Sequence, residues 1–327
     1  MRVLVTGGTG FTGSQLVRRL LADGHEVVVL DKTERAGTES LRDEGAEVVI
    51  GSVTDEGAVE RCMEGVEVVH HVAAAFREIG APDSEYYATN VVGTRIVADA
   101  AHRHDVRRMV HCSTCGVHGE VTDPPADEES PIEPEDYYQE TKWLGEKAVL
   151  ERAAEGLRAV VLRPTSIYGP GDFGRLAMLY RQVARGWFPM FGDGRTLYHT
   201  VFVENLVDAF LLAQDGAGRD GRSYLIADGQ WCTIEELVRA VADSLGRGVR
   251  VFHLPLTPAV VAGHVLEAIC RPLGIEPPLF PRRVAWFRHD RAFDIGRARE
   301  ELGYEPHKSL TEGLRETARW YHQQGIV

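Results

Sequence analysis

A cluster of glycines near the amino terminus is the first feature of the sequence that could hold a ligand. Gly7, Gly10 and Gly13 follow a short β-branched run, residues 3–6, and precede a stretch with helical apolar periodicity. Glycines at this spacing allow a tight turn, a close approach of the backbone to a pyrophosphate, and close packing of a helix on a strand. The helix amino terminus supplies amide donors and the positive end of its dipole. The pattern therefore predicts a dinucleotide-binding loop.

An acidic residue ends the next apolar run. Asp31 follows residues 26–30, so its carboxylate would lie at the end of the second strand. A carboxylate at this point accepts hydrogen bonds from the adenosine ribose hydroxyls and repels a 2′-phosphate. We therefore expect NAD as the cofactor. NADP stays possible, because Lys32 and Arg35 follow closely and partly neutralise that repulsion.

A tyrosine and a lysine share one face of a predicted helix. Tyr138 and Lys142 are four residues apart within residues 137–155, so their side chains are neighbours on the helix surface. A nearby ammonium group favours the phenolate, which makes the phenol a usable proton donor or acceptor near neutral pH. Tyr137 is the poorer candidate, because Thr141 stands at the matching offset.

Two hydroxyl residues and two cysteines lie at the end of another predicted strand, residues 108–113, or directly after it. Ser113 and Thr114 would lie at the carboxyl end of a parallel strand, where α/β folds bind ligands. Cys112 and Cys115 have the C-x-x-C spacing, but a zinc site needs a second ligand pair and the other three cysteines are isolated. We therefore predict neither a metal site nor disulfide chemistry, and we expect the histidines to be structural.

The elements that position these residues alternate between strand and helix. Continuous apolar strands separated by helices predict an α/β fold, a Rossmann-type doubly wound parallel sheet covered on both faces. The expected strands are residues 3–6, 26–31, 46–51, 66–72, 108–113 and 157–163, and the expected helices include residues 55–63, 87–102 and 137–155.

The second half of the chain has shorter helices and loops rich in proline and glycine. We predict a dinucleotide-binding domain over residues 1–165 and, mainly, a smaller C-terminal substrate-binding lobe over residues 166–327. A segment at about 200–215 is expected to return to the nucleotide domain. The apolar stretch 254–270 is interrupted and too short to span a membrane. The expected helices are residues 203–214, 233–246, 258–270 and 309–323.

Composition excludes further classes. The 327 residues include 36 Lys and Arg against 49 Asp and Glu, a formal net charge of −13. Such a chain repels a phosphate backbone, so we expect no nucleic-acid partner. Five cysteines imply no disulfide framework, and no targeting segment is evident, so a cytoplasmic protein is expected.

The motifs occur in a fixed order across nearly the whole chain. They are Thr6-Gly7-x-x-Gly10-x-x-Gly13, His71-x-Ala73-Ala74, Asn90, Ser113-Thr114, Tyr138-x-x-x-Lys142, Arg163-Pro164-x-x-x-Tyr168-Gly169-Pro170-Gly171 and the tail at residues 294–304. The combination resembles the extended short-chain dehydrogenase/reductase family. That family includes nucleotide-sugar epimerases and dehydratases and the 3β-hydroxysteroid dehydrogenases.

The resemblance implies roles for individual residues. Tyr138 would be the catalytic acid/base. Lys142 would adjust the pKa of Tyr138 and bind the cofactor ribose, and Thr114 would bind the reacting oxygen. The implied chemistry is hydride transfer between a secondary alcohol carbon and the nicotinamide. The implied cofactor-binding residues are Gly7, Gly10, Phe11, Thr12, Gly13, Asp31, Lys32, Ala73, Ala74, Ser113, Tyr138, Lys142 and Pro164.

Departures from the family pattern bear on the substrate. Dehydratases of the family carry an acid pair where this chain has Cys115 and Gly116. Sugar-nucleotide enzymes usually carry a diphosphate-clamping arginine where this chain has Tyr198. Arg195 and Arg283 are therefore the other candidates for binding a substrate, beside Tyr198 itself.

Three functions remain open at this level. The first is an NAD(P)-dependent oxidoreductase acting on a secondary alcohol or ketone, sterol-like or alicyclic. The second is a nucleotide-sugar 4-epimerase with tightly bound NAD, and the third is a non-catalytic dinucleotide sensor. The family often forms dimers through two helices, so we expect a homodimer through residues 87–102 and 137–155 and a small-molecule substrate.

Overall fold

The computed structural model describes residues 1–76, 82–270 and 284–327. Its strands are β1 (Arg2–Thr6), β2 (Glu26–Asp31), β3 (Glu47–Ile50), β4 (Val68–His71), β5 (Arg108–Cys112), β6 (Ala159–Pro164), β7 (Ser166–Tyr168), β8 (Trp187–Phe191), β9 (Leu197–Tyr198), β10 (Thr200–Phe202), β11 (Arg222–Ile226), β12 (Cys232–Thr233) and β13 (Arg250–Leu254). Its helices are α1 (Phe11–Ala22), α2 (Thr38–Asp43), α3 (Glu56–Met63), α4 (Asp83–Tyr87), α5 (Thr94–Arg103), α6 (Tyr137–Ala154), α7 (Arg175–Val183), α8 (Val203–Gln214), α9 (Ile234–Ser244), α10 (Leu256–Cys270) and α11 (Leu310–Gln323). Single helical turns lie at Ala88–Gly93 (π), Cys115–His118 (3₁₀) and Ala298–Leu302 (π).

Seven parallel strands form the central sheet in the order β11-β6-β5-β4-β1-β2-β3. The order runs outward from β1 in both directions, so the carboxyl ends of β1 and β4 flank the point where the strand order reverses. Doubly wound folds bind their ligands at this point. The predicted Rossmann-type α/β fold class is confirmed.

Each face of the sheet buries a separate apolar core, because successive side chains of a strand point to opposite sides. One face packs on α1 and α8, and we call it the α1/α8 face. The other packs on α3, α5 and α6, and we call it the α5/α6 face. The α1/α8 core includes Val5, Leu16, Val110, Leu162 and Phe210, and the α5/α6 core includes Leu4, Val69, Val97, Met109 and Val161.

A third core fills the smaller unit formed mainly by the second half of the chain. It joins α7, α9 and α11 to β8, with members such as Tyr180, Leu237 and Leu314. Three two-stranded pairs, β7 with β10, β8 with β13 and β9 with β12, accompany it. Capping boxes begin α9 at Thr233 and α11 at Ser309. Nowhere in residues 1–76, 82–270 and 284–327 is a helix long and apolar enough to cross a membrane.

Some elements differ from the sequence prediction. The seventh strand, β11, and the helices α2 and α7 were not predicted, because their apolar patterns are short and flanked by polar residues. The helix predicted at 87–102 begins earlier, at Asp83, and contains the π-helical turn Ala88–Gly93. The segment expected to return at about 200–215 holds α8, which packs on the central sheet, and β11 joins that sheet beyond it. The division of the chain at residue 165 stays a prediction.

Candidate active site

The glycine loop forms a cradle that side chains would fill. Gly7 has a φ of +72°, and a Cβ there would lie 2.7 Å from the backbone of Ala73. A Cβ on Gly13 would lie 2.2 Å from the Gly7 carbonyl oxygen. The helix α1 begins directly after Gly10, so the free amides of its first turn face the loop. This bare backbone next to a helix amino terminus fits a pyrophosphate group.

The carboxylate of Asp31 lies at the end of β2, as the sequence predicted. It is buried and accepts hydrogen bonds from the Thr9 amide (3.1 Å) and the Thr9 hydroxyl (2.7 Å). Asp31 therefore links the end of β2 to the glycine loop. The neighbouring Lys32 pairs with Glu85 at 2.7 Å, so part of its charge is neutralised within the protein.

Lys142 is the most deeply buried lysine of the site. Its Nζ donates a hydrogen bond of 2.7 Å to the carbonyl of Cys112, the last residue of β5. Burial lowers the pKa of Lys142, and the carboxylate of Glu146 works in the opposite direction. Tyr138, one turn earlier on α6, is half-buried, and its ring centroid lies 4.9 Å from that of Phe76.

The hydroxyl residues after β5 lie beside this lysine contact. Ser113 is buried and its amide donates to the Leu162 carbonyl at 2.7 Å, which extends the strand pairing. The Ser113 hydroxyl has no hydrogen-bond partner in the described part of the chain. Thr114 caps the 3₁₀ turn by accepting a bond of 3.1 Å from the Gly116 amide. α6 and the end of β5 thus bring Lys142, Ser113 and Thr114 to one edge of the sheet.

Two histidines form part of a polar row on the α5/α6 face. His71 bonds Thr6 at 2.7 Å and Thr94 at 2.9 Å, and its ring stacks on His111 with centroids 5.2 Å apart. Burial lowers the pKa of His71 to about 3, and the charge of Lys142 adds to this effect. The pKa of His111 falls for the same two reasons. Burial therefore favours the neutral form of both rings.

An asparagine connects the loop after β4 to the helix α6. Its amide bonds both backbone groups of Ala75, accepting from the amide at 2.8 Å and donating to the carbonyl at 3.2 Å. The same Asn90 side chain donates to Thr141 at 3.0 Å. Ala73 and Ala74, predicted to line the nicotinamide, directly precede this clamp. The sequence motif included Asn90, but its role depends on the π-helical turn that the sequence did not predict.

The predicted substrate residues lie in different surroundings. Tyr198 is only 3% exposed, donates to Ser166 at 2.7 Å and packs against Trp286. Arg195 is exposed at an open cavity of about 670 Å³. Arg283 lies outside the described residues. The cavity is lined by Gly192, Asp193, Arg195, His253, Leu254 and Pro255.

The cysteines and one carboxylate cluster bear on redox and metal chemistry. Cys112 and Cys115 are buried free thiols, and burial raises their pKa to about 11 and about 12, so both stay protonated. Ligand atoms of Glu120, Glu135 and His289 lie within 4.8 Å of one another. Arg291 pairs with Glu135 at 3.1 Å and neutralises part of that charge. The sequence prediction of no metal site stays a prediction.

Comparison with known proteins agrees with this architecture. Residues 3–227 match the model of the NAD dependent epimerase/dehydratase family. The chain is 33% identical over 339 residues to a UDP-glucose 4-epimerase of Mycolicibacterium smegmatis, covering 99% of each chain. It is 31% identical over 327 residues to a 2-alkyl-3-oxoalkanoate reductase of Stenotrophomonas maltophilia, covering 96% of this chain and 98% of the other.

A solved structure extends the comparison to the whole fold. A dTDP-glucose 4,6-dehydratase of Streptomyces venezuelae, crystallised with NAD, superposes with a TM-score of 0.77 at 29% identity. The match covers 99% of this chain and 97% of that one. The family match spans more than half of the chain, and the sheet order, glycine loop and motif order agree with it. The chain therefore belongs to the NAD-dependent epimerase/dehydratase family, within the extended short-chain dehydrogenases/reductases.

Proposed function

We propose that this protein is an NAD-dependent oxidoreductase that acts on a secondary alcohol or ketone of alicyclic or sterol-like character. The observation that carries the proposal is the placement of Lys142. Its ammonium group is buried against the end of β5, while Tyr138 on the same helix face remains partly accessible. A buried lysine beside a half-exposed tyrosine is a suitable proton-transfer pair.

The glycine loop and Asp31 fit NAD. Side chains at Gly7 and Gly13 would collide with the backbone, so the loop stays open for a pyrophosphate. The Asp31 carboxylate at the end of β2 can accept ribose hydroxyl hydrogens in place of, or beside, those of Thr9. When bound, NAD supplies a nicotinamide carbon that accepts or returns hydride. The preference for NAD over NADP is part of the proposal.

Proton transfer and the binding of the reacting oxygen are assigned to the side chains of the site. Tyr138 takes the hydroxyl proton of the alcohol during oxidation and returns it during reduction. Lys142 favours the phenolate form of Tyr138 by its charge. Within the described residues the Thr114 hydroxyl accepts a hydrogen bond from Gly116 and donates none, so its hydrogen can bind the reacting oxygen. Ala73 and Ala74, held in place through Asn90, border the nicotinamide side of the site.

Tyr198 supports an oxidoreductase over a nucleotide-sugar enzyme. At the position of the expected diphosphate clamp, its side chain is buried in the smaller unit and bonds Ser166. The buried Cys115 and the adjacent Gly116 supply no acid pair for eliminating water. A sensor without activity has no use for a proton-transfer pair. These features favour redox chemistry on a substrate without a diphosphate.

A nucleotide-sugar 4-epimerase is the second candidate. Arg195 at the open cavity could contact a diphosphate, and one relative at 33% identity is a UDP-glucose 4-epimerase. The same Thr114, Tyr138 and Lys142 would serve, with no net change in NAD. The two candidates therefore differ in the substrate and in the net production of NADH.

One experiment separates the candidates. The purified protein is incubated with NAD and a panel of hydroxysteroids and alicyclic alcohols, and separately with UDP- and GDP-sugars. Absorbance at about 340 nm follows NADH, and chromatography follows the configuration of the sugar. The proposal expects NADH only with the alcohols. Inversion of a sugar without net NADH would replace it with the epimerase.

Two further sequence predictions belong to this proposal. A homodimer through α4–α5 and α6 is supported by exposed apolar side chains on the first of these segments, since Tyr87 on α4 is 45% exposed and Val92 in the π-helical turn is 41% exposed. Light scattering of the purified chain, compared with Val92→Glu, tests the dimer. The cytoplasmic location stays a prediction.

A further inference from the structure

A buried arginine beside the site has no part in the chemistry proposed above. Arg163 lies at the end of β6, directly before Pro164, and its side chain is 5% exposed. Its Nη2 donates to Glu146 Oε1 at 2.6 Å, and its Nε contacts the two carboxylate oxygens at 3.1 and 3.2 Å. The Glu146 side chain on α6 is fully buried. The two side chains therefore hold each other in one orientation.

The same guanidinium reaches the turn that follows Thr114. Arg163 Nη1 lies 3.1 Å from Nε2 of His118, the last residue of the 3₁₀ turn. A guanidinium can only donate, so His118 Nε2 accepts and the ring proton is on Nδ1. Nδ1 then donates to the Pro131 carbonyl at 3.1 Å. Burial, and then the charge of Arg163, lower the pKa of His118, which keeps the ring neutral.

The carboxylate end of the network is part of the catalytic helix. Tyr138, Lys142 and Glu146 follow one another at intervals of four residues and share one face of α6. Ser223 on β11 donates to Glu146 Oε1 at 2.6 Å. Glu146 therefore fixes the rotation of α6 against two strands. His118, through Arg163, is fixed against the same helix.

We propose that Arg163 is a positioning residue that sets the Thr114 turn relative to Tyr138 and Lys142 by bonding His118 and Glu146 at once. The inference rests on the proposed function. A buried ion pair adds little stability compared with apolar packing, whereas the planar guanidinium imposes direction on every bond it makes. Small displacements of catalytic groups are costly, at roughly 100-fold in rate for about 1 Å.

The first test is Arg163→Lys, which keeps the charge but loses the planar fork. We expect kcat to fall about 10-fold or more, with KM and the Kd for NAD changed by less than about twofold. Arg108→Lys is the matched control. Arg108 is equally buried, pairs with Asp220 and bonds the carbonyls of Ala213 and Ala217. It is the first residue of β5, however, and so lies at the amino ends of the strands, away from the candidate site. This control should lose stability and keep kcat.

A second pair of variants covers the case in which Arg163→Lys does not fold. His118→Leu removes only the acceptor on the Thr114 turn and leaves the pair of Arg163 with Glu146 intact. His118→Gln restores an acceptor oxygen for the guanidinium. We expect kcat to fall in the leucine variant and to recover at least in part in the glutamine variant. If His118 has a merely structural role, the kcat of each variant should fall only in proportion to the decrease in its melting temperature.

The outcomes separate this inference from the proposed function. Turnover of an alcohol or a sugar by the wild type tests the function, and the ratio of variant to wild-type kcat on that substrate tests Arg163. Unchanged kcat in folded Arg163→Lys and His118→Leu, or an equal loss in Arg108→Lys, overturns the inference. If the wild type turns over nothing, the function fails. The pKa of Tyr138 then decides. It is measured from the phenolate absorbance at about 295 nm, as the difference between each protein and its Tyr138→Phe form. A pKa that differs between wild type and Arg163→Lys supports positioning, and an identical pKa refutes it.

Discussion

His70 and His71 are neighbours on β4, but they lie on opposite faces of the sheet and have different partners. His70 points to the α1/α8 face, where it bonds Gln214 at 2.8 Å and meets the edge of Phe210. His71 points to the α5/α6 face, where it bonds Thr6 and Thr94. Burial lowers the pKa of both, to about 4 and about 3. Only His71 also senses the charge of Lys142.

The difference extends along the carboxyl edge of the sheet. On the α1/α8 face the last side chains of the strands are mainly apolar and pack against α1 and α8. On the α5/α6 face the corresponding positions are polar on four adjacent strands: Thr6, His71, His111 and Arg163. A buried polar group is costly unless it is bonded, and it orients what it bonds. In the described part of the chain the two ring nitrogens of His111 have no hydrogen-bond partner, whereas His71 bonds Thr94 of α5 and Arg163 bonds Glu146 of α6. One face therefore contributes mainly stability, and the other also fixes α6, the helix that carries Tyr138 and Lys142.

The largest expected effect is at Lys142. Lys142→Met removes the buried ammonium group from the α5/α6 face, so Tyr138 loses the charge that favours its phenolate. We expect kcat/KM to fall roughly 100-fold or more. Lys147→Met, five residues later on the same helix, is the control and should keep kcat/KM. A Lys142→Met enzyme of normal activity would remove the proton-transfer pair from the account.

The histidine pair tests the comparison of the faces directly. His71→Leu leaves Thr6 and Thr94 without their partner beside Lys142, and we expect kcat to fall about 10-fold. His70→Leu leaves the side-chain oxygen of Gln214 without its His70 partner and should lower only the free energy of unfolding, by about 1–3 kcal/mol. Urea unfolding and steady-state kinetics on both variants measure the two effects. Equal losses of kcat would mean that the two faces do not differ in function.

An effect of similar size, on cofactor binding instead of turnover, is expected at the end of β2. Asp31→Ala removes the carboxylate, so the Kd for NAD should rise about 10-fold, as expected for lost hydrogen bonds to a charged group. The Kd for NADP should rise less, because a repulsive charge is lost at the same time. Titration by fluorescence measures both constants. An equal increase in the Kd for NAD and the Kd for NADP would exclude Asp31 from the ribose site.

The last effect, on stability alone, concerns Asp228, a buried acid that follows β11 and accepts bonds from Thr200, Phe202 and Asn205. Burial raises its pKa from 3.8 to about 6, so between these values the folded state binds a proton that the unfolded chain releases. The free energy of unfolding should therefore fall as the pH rises from about 4 to about 6, by at most about 1.4 kcal/mol per pH unit, and then level off.

The control for this pH dependence is Asp228→Asn, which has nearly the same shape but cannot titrate. Urea unfolding at several pH values gives the difference between wild type and variant. That difference should change between about pH 4 and 6 and stay constant above. A constant difference throughout would show that Asp228 titrates alike in both states.

Local sequence patterns predicted the parts of the site that depend on short spacing. The glycine loop and the pair of Tyr138 and Lys142 each lie within one turn or one helix, so their geometry follows from the backbone. The faces of His70 and His71 depend on strand register and on which helix covers each side. Both were expected only to be structural histidines. Strand alternation places them on opposite faces, but it does not tell which face meets the helix that carries Lys142.

The network around Arg163 was missed for a similar reason. Its partners, Glu146, His118 and Ser223, come from a helix, a turn and a strand that meet only in the folded sheet. β11, which carries Ser223, was not predicted because its apolar run is short. Tyr198 shows the converse case. Its place in the family pattern suggested a substrate contact, and packing against Trp286 in the third core makes it an interior residue.

The most direct test of the account compares two adjacent tyrosines. Tyr137→Phe and Tyr138→Phe are assayed with NAD and a secondary alcohol deuterated at its carbinol carbon, next to the unlabelled alcohol. The account predicts NADH formation with a primary isotope effect in the wild type and in Tyr137→Phe. It predicts loss of turnover, with NAD binding retained, in Tyr138→Phe. Undiminished turnover in Tyr138→Phe would contradict the central claim that this residue, on the helix that covers the polar face of the sheet, moves the proton.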